Sequence, residues 1–381
     1  MTMLLLNASN LHVGGGVQVA TSVIAEIINM PSIPSNIVIW ASDAVNDNLK
    51  DLGYELEGKS YYKIVNTYGV NLIISSVARR LNEFDAVLTI FGPLYVFRLK
   101  GVNICGFAQS WIINPINESY YSNKFIGRLL SVLKFKLQSY FFKRADHLVV
   151  ELEHVRSGLL RCGMGTFDSI HVVKNCLSSL YLHVNHWREI EIPPVDASIL
   201  KIGFVGRNYP HKNTRIFPDV INALRQNNGV QACIYVTFTD DEWAACSDEF
   251  RALVINVGTL SVAQCPSFYR SMDAVIFPSL LECFSATPLE AMAMEKPLFA
   301  SDRPFNRDVC HEHAHYFDPL SPASAARAIA QVFLSGGTKP DALRAARDHA
   351  INFSSPKQRA EQYLALLVEA SNKTYYELKG T

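Results

Sequence analysis

The stretch ECFSATPLE sets two carboxylates, Glu282 and Glu290, eight positions apart, directly after the apolar run DAVIFPS. That run predicts a strand over 273–279, so Glu282 falls in the loop at the strand's carboxyl end. Thr287-Pro288-Leu289-Glu290 reads as a helix start. Thr at the cap, Pro at the first helical position and Glu at the third would close a capping box, and this accounts for Glu290 without any ligand. On a second account, a carboxylate in the first helical turn accepts hydrogen bonds from two vicinal hydroxyls, as acidic residues do from a ribose. The amides of Phe284, Ser285, Ala286 and Thr287 would then meet phosphate at the same helix start. Glu282 has no comparable local role: it is either a solvated loop carboxylate or a member of the same site.

Upstream, GFVGRNYPHKN ends another strand at Gly206 and follows it with Arg207 and Lys212. An Arg grips a diphosphate with its planar fork, and a Lys does so as a point charge. As an isolated pair they would be two surface cations. Beside Glu282 and Glu290 they complete the partners that a sugar nucleotide needs for its ribose, its diphosphate and its second sugar.

Other stretches carry weaker chemistry. HVGGGVQVA places Gly14, Gly15 and Gly16 at a helix start after the first strand. It is not G-x-G-x-x-G, and no acidic residue ends a second strand about twenty positions on, so the nicotinamide fingerprint is missing. The glycines serve either a tight turn or the close approach of a ligand to the backbone. CHEHAHYF holds His311, His313 and His315, but this spacing is not that of H-E-x-x-H and no partner ligand stands at a matching distance, so no metal site is expected. The segment 124–144 has six basic residues and no acidic one. Its Leu130, Leu133, Leu137 and Tyr140 fall on one helical stripe. They face either the core, under a basic outer surface, or an anionic membrane surface.

The elements that must position these residues form two sets. Short apolar runs at 3–7, 36–40, 85–92, 103–109 and 147–152 predict strands with helices between them, and the pattern restarts at 200–206, 232–238, 254–258, 273–279, 297–301 and 314–319. Uniformly apolar short strands separated by helices indicate parallel sheets covered on both faces. Polar NHWREIEIPPVDAS, 185–198, reads as a linker. The expected division is 1–184, a linker at 185–199, a second domain at 200–355 and a last segment at 356–381. Open α/β sheets bind ligands at the carboxyl ends of their strands, so two such sheets would face each other across a cleft.

With 35 basic and 35 acidic residues in 381, the chain lacks the basic excess of a nucleic-acid binder. Its eight cysteines show no C-x-x-C pair, which argues against a disulfide framework or a zinc ribbon. The first residues lack a basic leader region, and no apolar run reaches the ~20 residues of a membrane span. These features predict a cytoplasmic protein.

Taken together, the motifs resemble the retaining GT-B glycosyltransferases of glycosyltransferase family 4. Glu282-x7-Glu290 within FPSLLECFSATPLEAMAMEKPLFASD resembles that family's E-x7-E signature. VGRNYPHKN is similar to its Arg and Lys phosphate motif, GGGVQV to its N-terminal Gly-rich loop, and AHYFDPLSPASAARAI and FSSPKQRAEQYLALL to its C-terminal tail. FFKRADHLVVELEHVRSGL resembles its late N-domain segment. The likeness covers almost the whole chain but is specific mainly over 200–320.

The resemblance implies an α/β GT-B fold of two Rossmann-like domains. Glu290 would bind the ribose, Arg207 and Lys212 the leaving diphosphate, and Glu282 the transferred sugar. Backbone over 284–287 and at Gly15 and Gly16 would contact the donor, and 356–381 would cross back onto the N-domain. No metal or other cofactor is implied. Gln109 falls near where relatives often place a His that touches the donor sugar. Cys283 and Ser285 stand where relatives often carry Gly, and Glu151 where Ser or Thr is common. The N-domain stretch TIFGPLYVFRLKGVNICGFAQSWIINP resembles enzymes that build bacterial O-antigen on a lipid carrier, several of which use GDP-mannose. The implied partners are a nucleotide-sugar donor and a lipid-linked glycan acceptor. Two alternatives stay open: a sugar-nucleotide epimerase on the same fold, and a non-catalytic partner subunit.

Overall fold

Along the first strand, β1 (Leu4–Ala8), alternate side chains go to opposite faces and all are buried. Leu4, Leu6 and Ala8 join one apolar cluster, while Leu5 joins another with Val38, Trp40 and Val87. A strand that is apolar at every position therefore lies inside a sheet covered on both sides. This computed structural model describes residues 2–31, 33–115, 117–118 and 125–379.

Seven strands build the first sheet: β1, β2 (Ile37–Ala41), β3 (Tyr62–Ile64), β4 (Ala86–Thr89), β5 (Val102–Gly106), β6 (His147–Val150) and β7 (Ile170–Val172). Their order is β3-β2-β1-β4-β5-β6-β7 and every pairing is parallel. Six strands build the second: β8 (Leu200–Phe204), β9 (Ala232–Val236), β10 (Val254–Asn256), β11 (Ala274–Phe277), β12 (Leu298–Ser301) and β13 (His315–Phe317). Their order is β10-β9-β8-β11-β12-β13, again all parallel. Each sheet has the doubly wound order in which the chain reverses direction next to its first strand. All the strand runs read from the sequence are strands. β3 and β7 were not anticipated; both are three-residue edge strands with one buried residue each.

The chain forms two units, one from residues 2–115, 125–175 and 355–379, the other from 176–354 with Asn117 and Glu118. Two expected boundaries shift. The first unit ends at Asn175 rather than 184, because the turn Ser179–Leu182 belongs with the second unit, where the Tyr181 ring lies 6.3 Å from that of Tyr269. The stretch 185–199 is held within the second unit too: the Arg188 amide donates to the Ala263 carbonyl, and the Tyr235 hydroxyl donates to that of Pro193.

The last helix, Pro356–Lys379, belongs to the first unit. Ala360, Tyr363, Leu367 and Ala370 repeat every three or four residues and enter the same cluster as β1 and the helix Gly15–Ile28. Its first turn is fastened by polar groups. Just beyond β6, Glu151 accepts from Asn175 Nδ2 at 2.6 Å, and Arg359 donates to the other end of that amide. Burial raises the Glu151 carboxyl to about 7, against the hydrogen bond from Asn175 and the charge of Arg359.

The helix Phe125–Phe142 contradicts the core-facing reading of its leucine stripe. Leu130, Leu133, Leu137 and Tyr140 are exposed. The interior is taken by aromatic rings instead: Phe141 packs on Tyr95 and Phe97, Phe142 on Phe107, and Phe135 on Trp111. Lys134, Lys136, Lys143 and Arg144 are exposed beside the stripe. Lys124 and the side chain of Arg128 lie outside the described residues. Among the described residues, no helix is long and apolar enough to cross a membrane.

Candidate functional site

β8 and β11 are neighbours in parallel register, with Ile202 opposite Ala274 and Gly203 opposite Val275. The loops leaving their carboxyl ends therefore emerge side by side at the reversal point of the sheet, which is where open α/β sheets take ligands. One loop carries Arg207 and Lys212, the other Glu282 and the approach to Glu290.

The loops meet directly. Lys212 Nζ lies 2.6 Å from Glu282 Oε1, and the two side chains are only 14% and 11% exposed. The cation also stands 5.1 Å from the centre of the Phe277 ring. Backbone fixes this arrangement: the Leu280 amide donates to the His211 carbonyl at 2.7 Å. Asn213, left-handed at φ 56°, donates from Nδ2 to the carbonyl of Pro319 at 2.8 Å. His211 is pushed below its ordinary value by burial, partly offset by the charge of Glu282.

Arg207 is not drawn into that pair. Its Nε donates to Glu242 Oε1 at 2.8 Å, and half of its side chain remains exposed. Glu242 was not singled out in the sequence. It closes a capping box with Thr239 and also accepts from the Asn208 amide, so one carboxylate ties the Arg207 loop to a neighbouring helix. TFTDDEW carried the signal for the cap but not for this second duty.

Glu290 departs from its capping-box reading. The helix Thr287–Ala293 has Ala286 at its cap position, in helical conformation and with no side-chain cap bond. Thr287 is already inside the helix, so Glu290 lies one position too far along to close the box. Its Oε2 instead accepts from the Tyr269 hydroxyl at 2.8 Å. Burial raises its carboxyl above the usual range, while the hydroxyls of Tyr269 and Tyr181 oppose that rise. The capping-box explanation for this residue is thereby removed. Phe284, Ser285 and Ala286 are half-buried in the connecting loop, whereas Cys283 and Thr287 are buried.

Gly15, Gly16 and Gln109 belong to the first unit. Gly15 opens the helix after Gly14, whose φ of 74° requires glycine, and a Cβ on Gly15 would meet open space. Gly16 is closer to its neighbours, with Leu11 3.2 Å from the place of a Cβ. Gln109, half-buried, follows β5 at the start of the helix Ser110–Ile113. The three histidines do not converge. His311 and His313 lie against His349, while His315 turns to Thr338. Among the described residues, no group of three or more His, Cys, Asp or Glu is arranged to hold a metal ion.

The chain is similar to known proteins in part of its sequence and in its fold. Residues 200–334 match the family described as glycosyl transferases group 1. The O-antigen chain mannosyltransferase RfbU of Salmonella typhimurium is 24% identical over 263 residues, covering 68% of this chain and 69% of that protein. Among solved structures, a glycosyltransferase from Rickettsia africae superposes with a TM-score of 0.67 at 16% identity, over 97% of this chain and 98% of that one. WaaG, a glycosyltransferase involved in lipopolysaccharide biosynthesis, does so with a TM-score of 0.64 at 10% identity, over 96% and 99%. With the doubly wound sheets described above, these matches show a GT-B fold for the chain, and residues 200–334 match the glycosyl transferases group 1 family.

Proposed function

We propose that the chain is a retaining family 4 glycosyltransferase that moves a hexose, with mannose from GDP-mannose preferred, onto a lipid-linked glycan in surface-polysaccharide synthesis. The observation that carries this reading is the joining of the β8 and β11 loops through Lys212 and Glu282. It sets a cation for a departing diphosphate beside a carboxylate for the sugar that leaves it. The preference for mannose rests on the likeness to RfbU, and the pathway on RfbU and WaaG.

In the reaction the bond from C1 of the sugar to the diphosphate oxygen breaks. A bond from C1 to an acceptor hydroxyl oxygen forms on the same face, and the hydroxyl proton leaves to the departing diphosphate. Departure of that dianionic group is the step that gains most from preorganised charge. Lys212 and Arg207 supply it, with no metal required. Glu290 holds the ribose, and the amides of Phe284, Ser285, Ala286 and Thr287 line the donor. Gly15 and Gly16 give it backbone access, and Gln109 contacts the sugar.

The exposed Leu130–Tyr140 stripe, flanked by Lys134, Lys136 and Lys143, fits a peripheral contact with an anionic bilayer, where a lipid-linked acceptor resides. The test is transfer from GDP-mannose, UDP-glucose and their congeners to a lipid-linked oligosaccharide, with and without EDTA, and NMR of the product. An α-linked hexose formed in EDTA supports the reading. A β-linked product rules out retention, a free epimerised nucleotide sugar favours the epimerase alternative, and no turnover of any donor favours the partner-subunit alternative.

A further inference from the structure

Two buried tyrosines flank Glu290 and have no part in the reading so far. Tyr269, on the helix Cys265–Arg270, is fully buried and donates to Oε2. No described donor bonds Oε1 with comparable geometry. Tyr181 reaches the same place from the turn Ser179–Leu182, is 6% exposed, and its hydroxyl faces Glu290 without closing a hydrogen bond of ordinary length and angle among the described residues. That hydroxyl lies near enough to Glu290 for the carboxylate to push its ionisation further out of range, on top of burial. Buried hydroxyls are ordinarily well paired, so one held only loosely beside a carboxylate marks a place for a ligand group. Cys265 is the other titratable group facing Glu290, and burial keeps its thiol protonated.

We propose that Tyr181, Tyr269 and Glu290 form one receptor for a cis-diol, the ribose of a nucleoside diphosphate. Tyr269 is the positioning residue: by occupying Oε2 it aims Oε1 outward to accept from both diol hydroxyls. Tyr181 is the contact residue and donates its hydroxyl to a diol oxygen. The proposal rests on the nucleotide-binding reading of Glu290 and adds two residues to it. Spent together, these groups read a ribose and reject its deoxy analogues, because the polar groups would otherwise stay buried and unpaired.

The test is calorimetric titration of the full chain with GDP and UDP, and with the 2′,3′-dideoxy form of whichever binds. Wild type should prefer the ribonucleotide by at least about 10-fold. Tyr181→Phe should compress that preference to within about 3-fold while binding the dideoxy form as wild type does. Tyr269→Phe removes a hydrogen bond to the ionised carboxylate, and such a bond lowers a pKa. The pH below which ribonucleotide binding fails should therefore rise by about one unit. A packing role alone would leave that acid limb where it is.

Wild-type preference retained in Tyr181→Phe, or an unmoved acid limb in folded Tyr269→Phe, overturns the assignment of that tyrosine. If Tyr269→Phe fails to fold, Tyr181→Phe decides the receptor alone. Wild type that binds neither nucleotide sinks the nucleotide reading itself, an outcome distinct from either of these.

Discussion

Glu151→Gln should make the protein more stable in mild alkali and leave it unchanged in mild acid. Glu151 is 7% exposed, and its neighbour Arg359 is 4% exposed. Burial lifts its carboxyl from 4.5 to about 7. A raised folded-state pKa means that the folded chain keeps its proton where the unfolded chain has lost it. Stability from this group is therefore fully present below about pH 4.5 and declines as pH rises to about 7. At about 1.4 kcal/mol per unit, a shift of some two and a half units costs on the order of 3 kcal/mol above pH 7. Gln keeps the oxygen that accepts from Asn175 Nδ2 but cannot ionise. Urea unfolding at about pH 4.5 and about pH 8.5 should show variant and wild type within about 1 kcal/mol in acid and the variant about 3 kcal/mol more stable in alkali. A variant less stable than wild type at pH 8.5 would refute this reasoning. It would mean that the ionised carboxylate gains more from Arg359 than it loses by burial.

Arg207→Ala and Lys212→Ala should each lower the transfer rate by roughly 10²–10³, measured as nucleotide release in the presence of acceptor, since each removes charge aimed at the leaving group. Gly106→Ala should destabilise by roughly 1–3 kcal/mol, read from a thermal melt. Its Cβ would lie 1.7 Å from the Ile90 carbonyl oxygen, so backbone must shift to admit it. Leu133→Glu with Leu137→Glu should abolish flotation with anionic vesicles at low salt and leave the melting temperature nearly unchanged, because both positions are exposed.

Much of the architecture was legible because a parallel sheet covered on both faces leaves a strong local signature. β1, β4, β8 and β11 are apolar at nearly every position, and each ends at Gly, Pro or a polar loop. β3 and β7 left little trace, being three-residue edge strands with only Tyr62 and Ile170 fully buried. The leucine stripe was ambiguous in principle, since periodicity shows that a face exists but not which face is inside. Phe135, Phe141 and Phe142 decided it through rings more than twenty residues away in sequence.

At the site, Arg207, Lys212, Glu282 and Glu290 could be named because each sits at the end of a readable strand or the start of a readable helix. Their partners could not. Glu242 looked fully employed in its own capping box, and Tyr269 is one apolar-looking residue in CPSFYRSMDAV, joined to Glu290 only by the packing of two helices. Tyr181 lies in a turn more than a hundred residues before Glu290, on a stretch that the linker reading assigned to the other domain. The capping box at Thr287 failed by a single position, which local composition does not fix.

The most direct measurement is calorimetric titration of GDP, UDP and ADP, each with and without its hexose, into wild type and Glu290→Ala. The account predicts that one base binds wild type, that the folded variant loses it, and that Lys212→Ala weakens the diphosphate far more than the nucleoside alone. A folded wild type that binds none of the six, or a Glu290→Ala variant that binds as tightly as wild type, contradicts it.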